Sequence, residues 1–294
     1  MNDTIRGSLL MAFAMGAFAI EDMLVKTASA GLPMGEVLIL FGLGGMALFA
    51  LITCAQGQPL WHPGLATRPM LLRGVSEVSG RLLFTLAIVL TPLSLASAIL
   101  QATPLVVTAG SVVFFGELVG WRRWLAIAFG FAGVLMILRP GMSGVPVTSL
   151  LAVGGMLGFA GRDLATRAAP RDMSNAQLGI FGFAMLALAG IVALSWSGGA
   201  RWPQPLQWLA LGGTICVGVL AYLALTAAMR TGEISVVAPF RYTRLVFAMI
   251  LGILVFGERP DLLTLLGSVV VVSSGVFTLL RSKKRTAVPV EKAT

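Results

Sequence analysis

Charge is the first thing this chain is short of. Asp, Glu, Lys and Arg make up 11% of its 294 residues, against about a quarter in an ordinary soluble domain. With 57% of residues hydrophobic, the polar surface is too small to cover a water-soluble core, which excludes an ordinary globular protein. Histidine occurs once, at His62, and cysteine twice, at Cys54 and Cys216. No Cys/His cluster exists, so no zinc or haem site, metal or other cofactor is expected. Both cysteines fall inside or at the edge of apolar runs and read as free thiols. A Gly-x-x-x-x-Gly-Lys-Ser/Thr loop is missing, so the chain itself does not hydrolyse ATP. The net charge of +9 is not accompanied by an aromatic-rich basic face, and no nucleic-acid partner is expected. A membrane enzyme would need clustered His/Asp or paired Asp-rich motifs at one interface. They are absent, and the chain reads as a non-enzyme.

What the chain has instead is apolar runs near 20 residues long, the length a helix needs to cross about 30 Å of hydrocarbon. Its 35 glycines and 14 prolines suit membrane helices, where small residues let helices approach closely. The expected fold is an all-α integral membrane protein with spans near 6–29, 34–55, 69–90, 94–115, 121–138, 147–168, 175–196, 205–229, 233–256 and 261–281. Gly and Pro punctuate them, at Gly31-Leu32-Pro33, Gly57-Gln58-Pro59, Thr91-Pro92, Arg139-Pro140-Gly141 and Gly198-Gly199 among others. Ala28-Ser29-Ala30 resembles a signal cleavage site. However, the preceding stretch is too long and ends in Glu21, Asp22 and Lys26, so it reads as a first helix. With the N-terminus cytoplasmic, thirteen basic residues, including Arg6, Arg68, Arg73 and those of the tail, fall on that side and four (Lys26, Arg139, Arg201, Arg259) on the other. The positive-inside rule therefore predicts both termini cytoplasmic. The six tryptophans lie mostly at span ends, as an interfacial belt would.

An internal repeat runs at an offset of 141 residues. Phe115-Gly116-Glu117 recurs as Phe256-Gly257-Glu258, Ser94 meets Ser235, Phe18-Ala19 meets Phe159-Ala160, Asp22 meets Asp163 and Lys26 meets Arg167. Two five-helix units follow, residues 1–141 and 142–284, with a cytoplasmic tail at 285–294. An odd helix count per unit inverts the second copy, the design of many secondary transporters. In each Phe-Gly-Glu element the glycine suits a left-handed helix end. The glutamate is expected at the N-terminus of the next helix, where the dipole favours it, and Pro260 suits a first helical position. Gly116, Glu117, Gly257 and Glu258 are thus read as structural.

On these features the chain resembles EamA domains of the drug/metabolite transporter superfamily. The stretch from Ala238-Pro239-Phe240-Arg241-Tyr242-Thr243-Arg244 to Phe256-Gly257-Glu258-Arg259-Pro260-Asp261 is similar to bacterial members, with YddG-type amino-acid exporters the nearest kind. The resemblance covers nearly the whole chain. It implies ten helices and movement of small metabolites, frequently amino-acid export. Pro104 stands thirteen residues before Glu117 and Pro239 nineteen before Glu258, so the two fourth helices are expected to bend at different depths.

Ionisable groups within spans cost about 2.5–3.5 kcal/mol on insertion scales and mark pathways. At 1.5 Å per residue, Arg81, Arg241, Arg244 and Gln101 converge near the midplane, roughly 12–18 Å deep. Glu77 and Arg81 share a helix face at the spacing of an ion pair, and Arg162–Asp163 reads as a neighbouring pair. Arg244 has no acid within reach on its own span and is assigned to a substrate carboxylate, with Arg241 or Arg81 nearby. Tyr242 and Gln101 are assigned to substrate hydrogen bonds, and Glu77 or Asp22 to an amino group. The bland alternative is that Asp22, Glu77 or Asp163 neutralises the arginines as packing glue. Asp22 and Asp163 read as gate or proton-coupling residues or, equally, as interfacial residues at span ends. The expected function is secondary transport of amino acids or similar metabolites, in the direction of export, across a bacterial inner membrane by a monomer or weak homodimer. The alternatives are an uptake carrier for a nucleotide-like metabolite or a multidrug exporter.

Overall fold

A computed structural model describes residues 3–115, 121–138, 147–167, 172–230 and 238–282. The described residues form α1 (Asp3–Ser29), α2 (Met34–Ala55), α3 (Arg68–Leu90), α4 (Leu93–Leu100), α5 (Thr103–Phe115), α6 (Trp121–Leu138), α7 (Ser149–Arg167), α8 (Asn175–Ser197), α9 (Pro205–Arg230), α10 (Thr243–Phe256) and α11 (Leu262–Ser282), with 3₁₀ turns at Pro63–Ala66 and Ala238–Tyr242. Among the described residues five helical stretches are long and apolar enough to cross a membrane: Ile5–Ser29, Met34–Ala55, Leu93–Phe114, Asn175–Trp196 and Pro205–Ala228. The surface is apolar, with Leu51, Val75, Phe114, Phe129, Leu209 and Leu254 exposed, while Glu21, Asp22, Arg73 and Glu77 are buried. That distribution suits hydrocarbon outside and a polar path inside. Both cysteines are free and exposed.

Helices pair across the two halves. α2 lies on α8, α3 on α7, α1 on α9, α4 on α10 and α6 on α11. Exchanging the halves returns α2–α8 and α6–α11 to themselves and turns α1–α9 into α7–α3, which is the pattern a two-fold relation produces. Glycine sets the spacing. A Cβ on Gly42 would lie 2.4 Å from the Ala187 nitrogen, and one on Gly158 2.4 Å from the Gly80 Cα, so backbones touch directly. Along α2, Gly35 meets Gly190 and Leu194, Gly42 meets Ala187 and Gly45 meets Phe183. Partner numbers fall as their own rise, so these equivalent helices run antiparallel. α6 and α11 do likewise, with Gly130 by Ser274 and Gly133 by Gly267 and Val270.

The fourth helix of the first repeat breaks beside its proline, and the described part of its counterpart opens on a 3₁₀ turn, with residues 231–237 outside the described residues. α4 stops at Leu100 and α5 resumes at Thr103; 141 residues on, the 3₁₀ turn ends at Tyr242 and α10 begins at Thr243. In the first copy Pro104 lacks the N–H that would bond the Leu100 carbonyl. The Thr103 hydroxyl donates to that carbonyl instead, at 2.5 Å. In the second copy Pro239 lies within the turn itself. Each proline thus lies beside a departure from regular α-helix, with Gln101 next to it in the first copy and Tyr242 in the second.

Candidate functional site

A polar layer forms where α1, α3, α7 and the start of α10 meet. Asp22 accepts a hydrogen bond from Arg244 at 2.6 Å, and Glu21 one from Arg81 at 2.9 Å. Both carboxylates are 1% exposed. On α7, Arg162 donates through Nε and Nη2 to Asp163 at 3.0 and 2.8 Å and lies 3.4 Å from Glu77. Arg73 approaches Glu77 at 3.9 Å and donates to the Thr166 hydroxyl at 3.0 Å. Arg241 stands 3.6 Å from Asp163 and is the most open of these side chains, 31% exposed. Aromatic rings interleave the cations. Arg244 lies over Phe18 and Phe84, Arg162 over Phe159, and Arg81 between Phe41 and Phe159, at 4.9–5.9 Å from the ring centroids. The quadrupoles of those faces add to the stabilisation of each charge.

Several sequence expectations change here. Arg81 pairs with Glu21 rather than Glu77, because the i,i+4 rule sees one helix while a buried charge takes the nearest partner from any helix. Arg244 is not free: its acid comes from α1. Arg162–Asp163 is a neighbouring pair as expected. Glu21, in the sequence only a flank of the first apolar run, is a member of the layer, and its matching position at offset 141 is Arg162. Arg73, one of the basic residues assigned to the cytoplasmic side, is 3% exposed inside the bundle. Gln101 and Tyr242, both at least nine-tenths buried, keep the Gln101 Nε2 and Tyr242 hydroxyl without hydrogen-bond partners. Asp22 and Asp163 both lie in the ion-pair layer.

A second polar cluster fastens one end of the bundle. Gly257 ends α10 in the left-handed conformation, φ 62°, as expected. Glu258 does not serve the next helix, whose first turn is capped by Asp261 through Thr264 N–H at 2.8 Å; Pro260 lies just before that cap. Glu258 instead crosses to the other half. Its carboxylate accepts from Leu93 N–H at 2.5 Å, Ser94 N–H at 3.0 Å and the Ser94 hydroxyl at 2.7 Å. These are free donors at the N-terminus of α4, where the dipole favours an anion. Lys26 completes the cluster, 3.3 Å from Glu258, 2.9 Å from the Thr91 carbonyl and 4.7 Å over Phe256. Burial disfavours the charged carboxylate, but the Ser94 and Leu93 donors and Lys26 outweigh it and hold Glu258 below its ordinary range. Gly116 and Glu117 lie outside the described residues.

A family profile described as the EamA-like transporter family matches residues 5–139 and 147–280. The chain belongs to this family. Its members here are transporters, so this EamA protein is a multi-pass membrane protein handling a small molecule. It is 30% identical over 280 residues to the pseudopaline exporter CntI of Pseudomonas aeruginosa, covering 95% of this chain and 97% of the relative. It is 28% identical over 287 residues to a riboflavin transporter of Vibrio cholerae, covering 93% and 92%. An S-adenosylmethionine uptake transporter of Rickettsia bellii is 26% identical over 216 residues, 73% of each chain. A crystal structure of a protein 19% identical superposes with a TM-score of 0.62 over 92% of this chain and 98% of that one, which shows a shared fold.

Proposed function

We propose that this EamA protein is a secondary transporter that exports amino acids or similar small metabolites across a bacterial inner membrane, with ten spans in two inverted repeats and both termini cytoplasmic. The observation that carries this reading is the buried layer in which acids of α1 and α7 meet arginines of α3 and α10, so that both repeats contribute to one polar centre. A polar site between inverted repeats is what alternating access needs, since each repeat can rock against the other around it. The Glu258 cluster ties α1 and α4 of the first half to the second. In the proposed orientation it lies at the outer end, which makes this a state closed to the outside. Arg244, Arg241, Arg81, Glu77, Tyr242 and Gln101 face the substrate, and Asp22 and Asp163 release or hold the arginines during the cycle. The similarity to an exporter supports export; the similarity to uptake transporters supports the reverse direction. Flux of a substrate panel in oriented proteoliposomes, with and without a pH gradient, tests the reading. Saturable export of amino acids that Arg244→Ala abolishes in a well-expressed protein is the expected result, and normal export by that variant would sink the assignment of Arg244.

A further inference from the structure

Among the described residues the layer carries a surplus of positive charge. Its described members are Arg73, Arg81, Arg162, Arg241 and Arg244 against Glu21, Asp22, Glu77 and Asp163. Two pairs are balanced: Arg244 with Asp22 and Arg81 with Glu21. The excess lies in the other group, where Arg73, Arg162 and Arg241 share two carboxylates. Asp163 already holds Arg162 through two hydrogen bonds. Arg241, 3.6 Å from Asp163 and 31% exposed, is the most open of the three, whereas Arg73, 3.9 Å from Glu77, is 4% exposed and also donates to Thr166. Among the described residues one positive charge of this group is left unmatched, at the place most open to a further counter-ion.

A second observation points the same way. The buried side-chain atoms of the layer and its flanking breaks that lack a partner include Arg73 Nη1, Arg81 Nε, Arg244 Nε and Gln101 Nε2. Every one is an N–H that can only donate. The Tyr242 hydroxyl, also unpartnered, can donate too. Buried polar atoms are almost always hydrogen-bonded, and a set of unmet donors asks for one acceptor-rich guest.

We infer that the cargo is an organic anion of net charge −1 rich in acceptor oxygens, whose carboxylate or equivalent group neutralises Arg241 while other acceptors meet the unpartnered donors of the layer, of Gln101 and of Tyr242. This rests on the transport reading and narrows it: plain zwitterions and cations leave the surplus charge unmet.

The test uses purified full-length protein and probes of graded charge at pH 7: glutamate, gluconate and N-acetylalanine (net −1), glutamine and alanine (net zero), lysine and putrescine (cationic). Thermal stabilisation in detergent gives apparent affinity, and counterflow in proteoliposomes gives transport. At least one monoanion is expected to bind about tenfold or more tightly than any neutral probe, the size of one hydrogen-bonded charge contact. Arg241→Lys keeps that preference, and Arg241→Gln abolishes it and moves selectivity toward neutral probes. Charge-blind binding, preference for neutral or cationic probes, no stabilisation by any monoanion, or an unchanged preference in Arg241→Gln overturns the inference. If Arg241→Gln does not fold, the wild-type charge ranking decides alone. Monoanion binding without flux sinks the transport reading and leaves this one standing. Flux that ignores charge does the opposite.

Discussion

Helices α1 and α7 occupy equivalent places in the two repeats, and the same two adjacent positions on each carry the polar layer. On α1 they are Glu21 and Asp22, and on α7 Arg162 and Asp163. The aspartate is retained and its neighbour reversed in sign. The consequence is a difference in where the counter-charge comes from. The α1 station is doubly acidic, fully buried, and neutralised among the described residues by Arg81 and Arg244 from other helices. The α7 station neutralises itself in part through Arg162–Asp163 and stays about a quarter exposed. One station is a fastening between helices, and the other is a nearly self-contained pair with a spare cation beside it. A repeated backbone frame thus holds an unsymmetrical set of charges.

The sharpest way to break this comparison is to neutralise each aspartate in turn. Asp22→Asn strands Arg244 in a buried site and is expected to cost about 3–5 kcal/mol. Asp163→Asn leaves Arg162 within reach of Glu77 and is expected to cost less, about 2 kcal/mol. Thermal unfolding in detergent reads the order. Adding Arg244→Gln to Asp22→Asn removes the stranded charge and should recover part of the loss. Equal costs for the two single variants would mean that the stations do not differ.

The backbone frame itself is tested at the α3–α7 seam. Gly158→Ala would place a Cβ 2.4 Å from the Gly80 Cα, where only backbone movement makes room. The expected penalty is about 1–3 kcal/mol despite the gain in helix propensity. Gly212→Ala on α9, with open space around the new atom, should be neutral or slightly stabilising. The pair separates packing from propensity in a single melting experiment.

The frame was legible in the sequence because hydropathy and Gly/Pro punctuation act locally along the chain. The ion pairs between helices were not, because each joins residues far apart in number: Arg244 to Asp22, Arg81 to Glu21, Arg162 to Glu77. Spacing rules along one helix cannot reach them. The end cluster is an intermediate case. Lys26, Ser94 and Glu258 were three of the residues on which the internal repeat was recognised, so their importance was visible, while their meeting was not. The repeat marked which residues matter, and only the fold showed that Glu258 serves α4 of the other half instead of the helix that follows it.

That cluster supplies the smallest effect and the one with a pH signature. Ser94→Ala removes the hydroxyl bond to Glu258 and leaves the two backbone donors and Lys26 in place, so about 1 kcal/mol is expected. Glu258→Gln removes the charge itself and should cost more than Ser94→Ala, because neither Lys26 nor the α4 dipole then has an anion to face. Since the folded carboxylate is held below its ordinary range, its contribution is fully present above the usual carboxylate pKa and is lost as pH falls through the lowered one. The wild type should therefore lose stability toward acid relative to Glu258→Gln, with the two melting curves converging below the carboxylate range. Ser94→Ala weakens what holds that pKa down, so its own loss should begin at a higher pH than in the wild type. Parallel pH profiles for all three proteins would show that Glu258 is not charged in the folded state, and the fastening of the two halves at this end would then rest on packing alone.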